Sequence, residues 1–161
     1  MVRRALKRIY TLPVFLAIGR PLFAMARVPA FEGAALGVAR GFAWLVQATY
    51  GRRPRGSAAE LAEEWTRLMP RPRSAFPLVG QEEGTAFVEI RIQCPLRGTG
   101  DAEACWRAME FDRALLRRVG GSLVVLESQS VTGGECCRLA IRRDGAPLDD
   151  LEVAHPRWHG R

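Results

Sequence analysis

The chain has 161 residues, 48% hydrophobic and 25% charged, with a formal net charge of +7. That composition is close to a globular average and excludes a collagen, a long disordered chain and a disulfide-packed miniprotein. A chain of ~150 residues buries roughly 70% of its unfolded surface, so a true core is within reach. Four cysteines are too few to define a disulfide scaffold. The charge is uneven. Residues 1–56 hold ten bases and one acid, Glu32, whereas residues 81–161 hold eleven bases and thirteen acids. Lys7 is the only lysine. Arginine-heavy usage also arises from a GC-rich genome, so it does not by itself indicate phosphate recognition.

Three regions follow from this pattern: a basic helical region over 1–56, an α+β ligand-binding or catalytic domain over 57–143, and a polar tail over 144–161. Arg3, Arg4, Lys7 and Arg8 precede the apolar run from Ile9 to Gly19. Arg20 interrupts that run, which is far shorter than the ~20 residues needed to span a bilayer. Three readings stay open. A signal peptide with Ala24-Met25-Ala26 as its cleavage site makes the protein secreted. Amphipathic helices beside anionic head groups or a protein partner make it membrane-peripheral. Helices packed on the protein's own core, with solvated arginines, make it an ordinary cytoplasmic protein.

In chain order, residues 2–27 predict one or two helices broken near Pro13 and Pro21. Residues 31–49 predict a helix whose apolar positions are Leu36, Val38, Phe42, Leu45 and Val46. Residues 51–56 form a basic loop. Ser57 and Glu60 have the spacing of a capping box opening a helix through Leu61, Trp65 and Leu68, which Pro70 and Pro72 end. Alternation of Ala86, Val88, Ile90, Ile92 and Cys94 with Phe87, Glu89, Arg91 and Gln93 predicts a strand over 85–94 with one buried face. Asp101 caps a helix over 102–118, ended by Gly120 and Gly121. Residues 122–130 and 135–143 predict two strands, with Gly133-Gly134 supporting a hairpin. The expected fold is α+β: N-terminal helices followed by an antiparallel sheet with one crossing helix.

The cysteines carry the chemistry. Cys94 shares the buried phase with Ile90 and Ile92, and Cys137 shares one with Leu139 and Ile141, while Cys136 faces the other way. Cys105, Met109, Asp112 and Leu116 make one helical stripe. Cys94, Cys105, Asp112 and Cys137 are thus expected to converge between helix and sheet. Such a pocket suits a nucleophile site with Cys94, Asp112 and Cys137 as catalytic residues. Equally, Cys94, Cys105 and Cys137 suit a divalent metal such as zinc, although no C-x-x-C pair is present. Plain packing of small apolar thiols is the alternative to both. Asp112 must find a partner or shift its pKa, and a nearby arginine is the simplest partner. His155 and His159 have metal-ligand spacing on a helix, but Pro156 and the terminal position favour a solvated tail. Ser128 and Ser130 lack a histidine base. There is no phosphate-binding glycine loop, and the basic region lacks interleaved stacking aromatics, so nucleic acid is not an expected partner.

The run Ile90-Arg-Ile-Gln-Cys94-Pro-Leu96, then Cys105 and Asp112, then Gly133-Gly-Glu-Cys-Cys137-Arg-Leu-Ala-Ile141, resembles the L-2-amino-thiazoline-4-carboxylic acid hydrolase-like family. It is also similar to the small-molecule-binding domain of four-vinyl-reductase proteins. The likeness covers roughly residues 85–143 and differs from the hydrolase pattern at Met109, where a second helix cysteine would stand. It implies a small heterocyclic ligand. It further implies ring-opening hydrolysis, in which a cysteine-bound metal polarises a C=N bond or Cys94 attacks directly, with Asp112 as acid/base. The alternative is a non-catalytic domain that binds a small ligand or a metal.

Overall fold

The structure, a computed structural model, describes residues 10–155 and residue 157. Arg3, Arg4, Lys7, Arg8 and His159 lie outside the described residues. Helix α1 spans Leu12–Ala26, with Pro13 in its first turn and Pro21 inside it. A 3-10 turn, Pro29–Phe31, leads into α2, Glu32–Tyr50. Helix α3 is Ala58–Leu68 and opens on the expected capping box: the Ser57 side chain accepts from the Glu60 N–H, and the Glu60 carboxylate accepts from the Ser57 N–H. That exchange satisfies two donors that the helix start would otherwise leave unpaired. Strands β1, Leu78–Glu82, and β2, Thr85–Ile90, follow. Helices α4, Ala102–Ala108, and α5, Glu110–Arg117, precede β3, Gly121–Glu127. A short helix α6, Gln129–Thr132, connects to β4, Cys137–Arg143.

The fold is α+β, as the residue patterns predict. The four strands form one antiparallel sheet in the order β1-β2-β4-β3. Ala86 lies opposite Ile141, Val88 opposite Leu139 and Ile90 opposite Cys137. Leu123 and Val125 continue the same rows on the far side of β4. Seven of these residues (Ala86, Val88, Leu123, Val125, Cys137, Leu139 and Ile141) are buried and form one core with α3, α5 and residues of α1 and α2. Helices α3 and α5 pack on the sheet, and α1 and α2 pack on α4 and α5 from outside. At the start of β3, a Cβ on Gly121 would come within 3.0 Å of Leu61 Cδ2, so only glycine lets α3 lie this close.

Several boundaries differ from the expectation, each for a physical reason. Strand β1 was not expected; its sequence Leu-Val-Gly-Gln-Glu is mostly exposed and lacks a clean alternation. Its hairpin turn uses Glu83 and Gly84, both at positive φ, the geometry that matches strand twist. The strand predicted over 85–94 ends at Ile90, because Arg91 leaves the ladder and its N–H donates to the Ala75 carbonyl. The 102–118 helix is interrupted at Met109, although the Met109 and Arg113 amides still donate to Cys105 and Met109 carbonyls. The 122–130 strand ends at Glu127, and the 135–143 strand begins at Cys137. Between them lies α6, capped by Gly133 in the left-handed region, so the Gly-Gly pair ends a helix rather than turning a hairpin.

Two further corrections concern which faces are buried. In α2 the buried positions are Ala35, Ala39, Ala43, Val46 and Gln47, while Val38 and Leu45 are exposed. Three alanines one turn apart line the face of α2 that packs inward, while Val38, Trp44 and Leu45 are left outside. In the segment after β4, His155 is buried rather than solvated. The Ala154 N–H donates to the Val125 carbonyl, which fastens this segment to β3.

Candidate ligand cavity

An enclosed cavity of about 80 Å³ lies where α1, α4 and α5 meet the end of β2. Cys94, Cys105, Asp112 and Cys137 all line it. The helical stripe delivers Cys105, Met109 and Asp112 despite the interruption at Met109. Cys137 arrives from the inward face of β4 opposite Ile90. Cys94 arrives by a different route from the one expected. It lies beyond the strand, and Gln129 of α6 holds its loop: Gln129 Oε1 accepts from the Cys94 N–H at 3.0 Å, and Gln129 Nε2 donates to the Ile92 carbonyl at 2.8 Å. Cys136 does not line the cavity, as its phase predicts.

The remaining wall is apolar and largely aromatic. Phe15 of α1, Phe42 of α2 and Phe111 of α5 meet there, with Phe42 stacked on Phe111 at 5.1 Å between centroids. Residue patterns did not mark these three as site residues, because nothing local distinguishes a phenylalanine lining a void from one filling the core. Gln129 was also missed; a single glutamine after a strand carries no signal of the loop it will clamp.

Asp112 is the one carboxylate in this wall. Its partner is not an arginine side chain but the Trp65 indole of α3, which donates from Nε1 to Oδ1 at 2.9 Å. Burial drives the Asp112 pKa up to about 6, against the opposing effects of the indole hydrogen bond and the Arg113 charge. Asp112 is therefore poised to exchange a proton near neutral pH. The neighbouring Glu110 behaves in the opposite way. Burial pushes its pKa up, but hydrogen bonds from Arg117 and Arg40 and the charge of Arg113 hold the carboxyl below its ordinary range. Arg40 reaches Glu110 from α2 at 2.7 Å, so this acid ties α2 to α5.

The sulfurs are occupied by neutral contacts. Cys105 Sγ shares a hydrogen bond with Ser128 Oγ at 3.1 Å. The Gln129 N–H donates to Cys137 Sγ, and the Leu96 N–H donates to Cys94 Sγ, both at 3.4 Å. Burial raises all three thiols, Cys137 to about 12. At neutral pH they are thiols, whereas a metal ligand or nucleophile must be a thiolate. Among the described residues, no three His, Cys, Asp or Glu side chains are grouped so that they could hold a metal ion.

The cavity adjoins an open cleft of about 730 Å³, with Leu16, Cys94 and Pro95 common to both. Arg20 and Arg97 line the cleft. Arg97 is held by a hydrogen bond from Nε to the Gly133 carbonyl at 2.8 Å, which leaves the rest of its guanidinium directed by a fixed anchor. A mostly apolar inner cavity and a cationic outer cleft thus share Cys94 in their walls. No family model, curated protein or solved structure matches this chain.

Proposed function

We propose that this protein binds a small molecule with a compact apolar end and an anionic end. The apolar end enters the cavity beside Asp112, and the anionic end rests in the cleft between Arg20 and Arg97. The observation that carries this reading is that Leu16, Cys94 and Pro95 line both spaces, so that the cavity and the cleft are neighbours across them. Ligand sites are concave, mostly apolar and provided with a few convergent polar groups, which is the character of this pair. The cavity alone is smaller than the ~150 Å³ void that accepts benzene, so the cleft must hold part of any ring-sized ligand. The neutral thiols supply soft contact surface rather than chemistry.

A second reading is hydrolysis of a thiazoline-like carboxylate, supported by the proton-exchanging character of Asp112. In that case the Asp112 carboxylate takes a proton from water as the water oxygen bonds to the ring carbon of the C=N group, returns that proton to the ring nitrogen, and collapse of the tetrahedral adduct breaks the carbon–nitrogen bond and opens the ring. The three thiols act by packing, because each is held protonated. A carboxylate on the ring matches the cationic cleft.

The test is a titration of the whole chain with benzoate, phenylacetate and 2-amino-thiazoline-4-carboxylate, followed by amide and methyl NMR shifts. Binding should perturb Leu96, Ala108 and Ile92 and weaken about tenfold in Arg97→Glu, since one well-placed ion pair in a partly desolvated cleft contributes about 1–2 kcal/mol. Leu22→Trp, which fills the cavity from α1, should abolish it. Loss of the thiazoline absorbance in wild type but not in Asp112→Asn would select hydrolysis. Binding without turnover selects the ligand-binding reading. Absence of any shift with all three compounds would reject both.

A further inference from the structure

Helices α1 and α2 present an apolar surface that no element among the described residues covers. Trp44 is 56% exposed, Phe31 53%, Ile18 51%, Leu45 47% and Val38 46%. Scattered exposed apolar residues are ordinary, but a contiguous patch is not. Two of them come together across the helix pair: Ile18 of α1 and Leu45 of α2 line one shallow groove with Val14. Every exposed position of α2 from Gly33 to Ala48 is apolar or glycine except Arg40, whose guanidinium is engaged by Glu110. The opposite face of the same helix is a row of buried alanines. A water-facing helix shows the reverse pattern.

Charge identifies the occupant. Residues 1–56 carry ten bases against one acid. Arg52, Arg53 and Arg55 follow α2 directly, all three away from any acidic ion-pair partner among the described salt bridges. A second copy of this chain laid on the patch would bring like charge against like charge. An anionic lipid surface brings the opposite charge, and it accepts the apolar side chains below its head groups. Among the described residues no single helix is long and apolar enough to cross a membrane, while α1 and Pro29–Tyr50 together have the length and composition but are bent by 118°. The bend and the buried alanine face suit helices that lie in the interface rather than cross it.

We propose that the outer face of the α1–α2 pair is a docking surface for anionic membranes, with Trp44, Leu45, Phe31 and Ile18 inserted and the arginines around them on the head groups. This surface is independent of the cavity reading: it requires neither a ligand nor turnover.

The experiment sediments the full chain with phosphatidylcholine vesicles and with vesicles containing about one third phosphatidylglycerol. Binding is expected only to the anionic vesicles and should weaken with added salt. Trp44→Ser with Leu45→Ser should lower the partition coefficient about tenfold or more, and Arg52→Glu with Arg53→Glu about tenfold, because each base near an anionic surface contributes about 1 kcal/mol. Val79→Ser, an exposed apolar residue of β1, should change nothing. Brominated lipid should quench the fluorescence of wild type and leave Trp44→Phe unquenched, which keeps the test decisive even if a double variant folds poorly. Equal binding to both vesicle types, no binding to either, or a wild-type dimer that the Trp44/Leu45 variant dissociates would each overturn the proposal.

Discussion

In β2, β3 and β4 Val88, Leu123, Val125, Leu139 and Ile141 are buried and Arg138 projects into solvent, whereas in α2 half of the buried residues are alanines and Trp44 and Leu45 are exposed. Both regions obey binary patterning, but with opposite sense. In the sheet, alternation places Val88, Leu123, Leu139 and Ile141 in the core against α3 and α5. In α2, the buried face combines Ala35, Ala39 and Ala43 with Val46 and Gln47, and Phe42 stacks on Phe111 of α5, while Val38, Trp44 and Leu45 remain available to something else. The difference teaches that apolar periodicity reports an apolar face without saying whether the apolar neighbour belongs to the same molecule.

Substitutions that contrast the two regions should separate widely in equilibrium denaturation. Trp65→Ala should be the most damaging, at about 4–5 kcal/mol, because it opens a large void and leaves Asp112 without its donor; Trp44→Ala should stay within about 0.5 kcal/mol. Similar losses for both would show that Trp44 is part of the folded core after all. Glu110→Gln should cost about 3 kcal/mol, since it leaves the buried Arg113 guanidinium without the carboxylate that faces it. A loss under about 1 kcal/mol would mean that α2 and α5 are joined by packing alone.

The pH dependence sharpens the inner side of the comparison. Asp112 has a folded pKa of about 6 against an ordinary 3.8, so its contribution is fully favourable below the unfolded value and is lost as pH rises through 6. The cost is about 3 kcal/mol at pH 8. His155 runs the other way: burial and the Arg113 charge lower its pKa from 6.5 to about 4. Its contribution is present above pH 6.5 and is lost as pH falls through 4. The two nearly offset each other between pH 4 and 6.5, so wild type should have a flat stability profile there. Asp112→Asn should unmask a steep acid loss, with its stability relative to wild type rising by about 3 kcal/mol from pH 4 to pH 8. Parallel profiles for variant and wild type would show that Asp112 does not titrate in this range.

Smaller effects test the faces of α2 directly. Ala39→Leu should cost about 1–3 kcal/mol by overpacking against α5, whereas Val38→Leu should be neutral. Ser57→Ala should cost about 1 kcal/mol through loss of the α3 cap. If Val38→Leu proved as costly as Ala39→Leu, the orientation assigned to α2 would be wrong.

Much of this organisation is legible from residues close together in the chain. The Ser57/Glu60 box, the Asp101 cap and the alternation of 85–90 depend on neighbours within one turn or one strand pair. The meeting of Cys94, Cys105, Asp112 and Cys137 was also legible, because phase along each element restricts which way a side chain can face. Less legible were the end of the first predicted strand, where Gln129 and Ala75 draw the chain out of the ladder, and the fate of the Gly-Gly pair, where four residues become helical first.

The sequence by itself determined the fold class, the caps, the basic character of the first third and the inward phase of the cysteine and aspartate positions, because each follows from local sterics and from the two backbone periodicities. Only the tertiary structure decided that Asp112 meets an indole, that the thiols are spent on neutral hydrogen bonds, and that α2 turns its alanines inward. Those outcomes depend on which distant side chains share a space, and burial, which sets the protonation of Asp112 and of the thiols alike, is a property of the whole assembled core rather than of any stretch of chain.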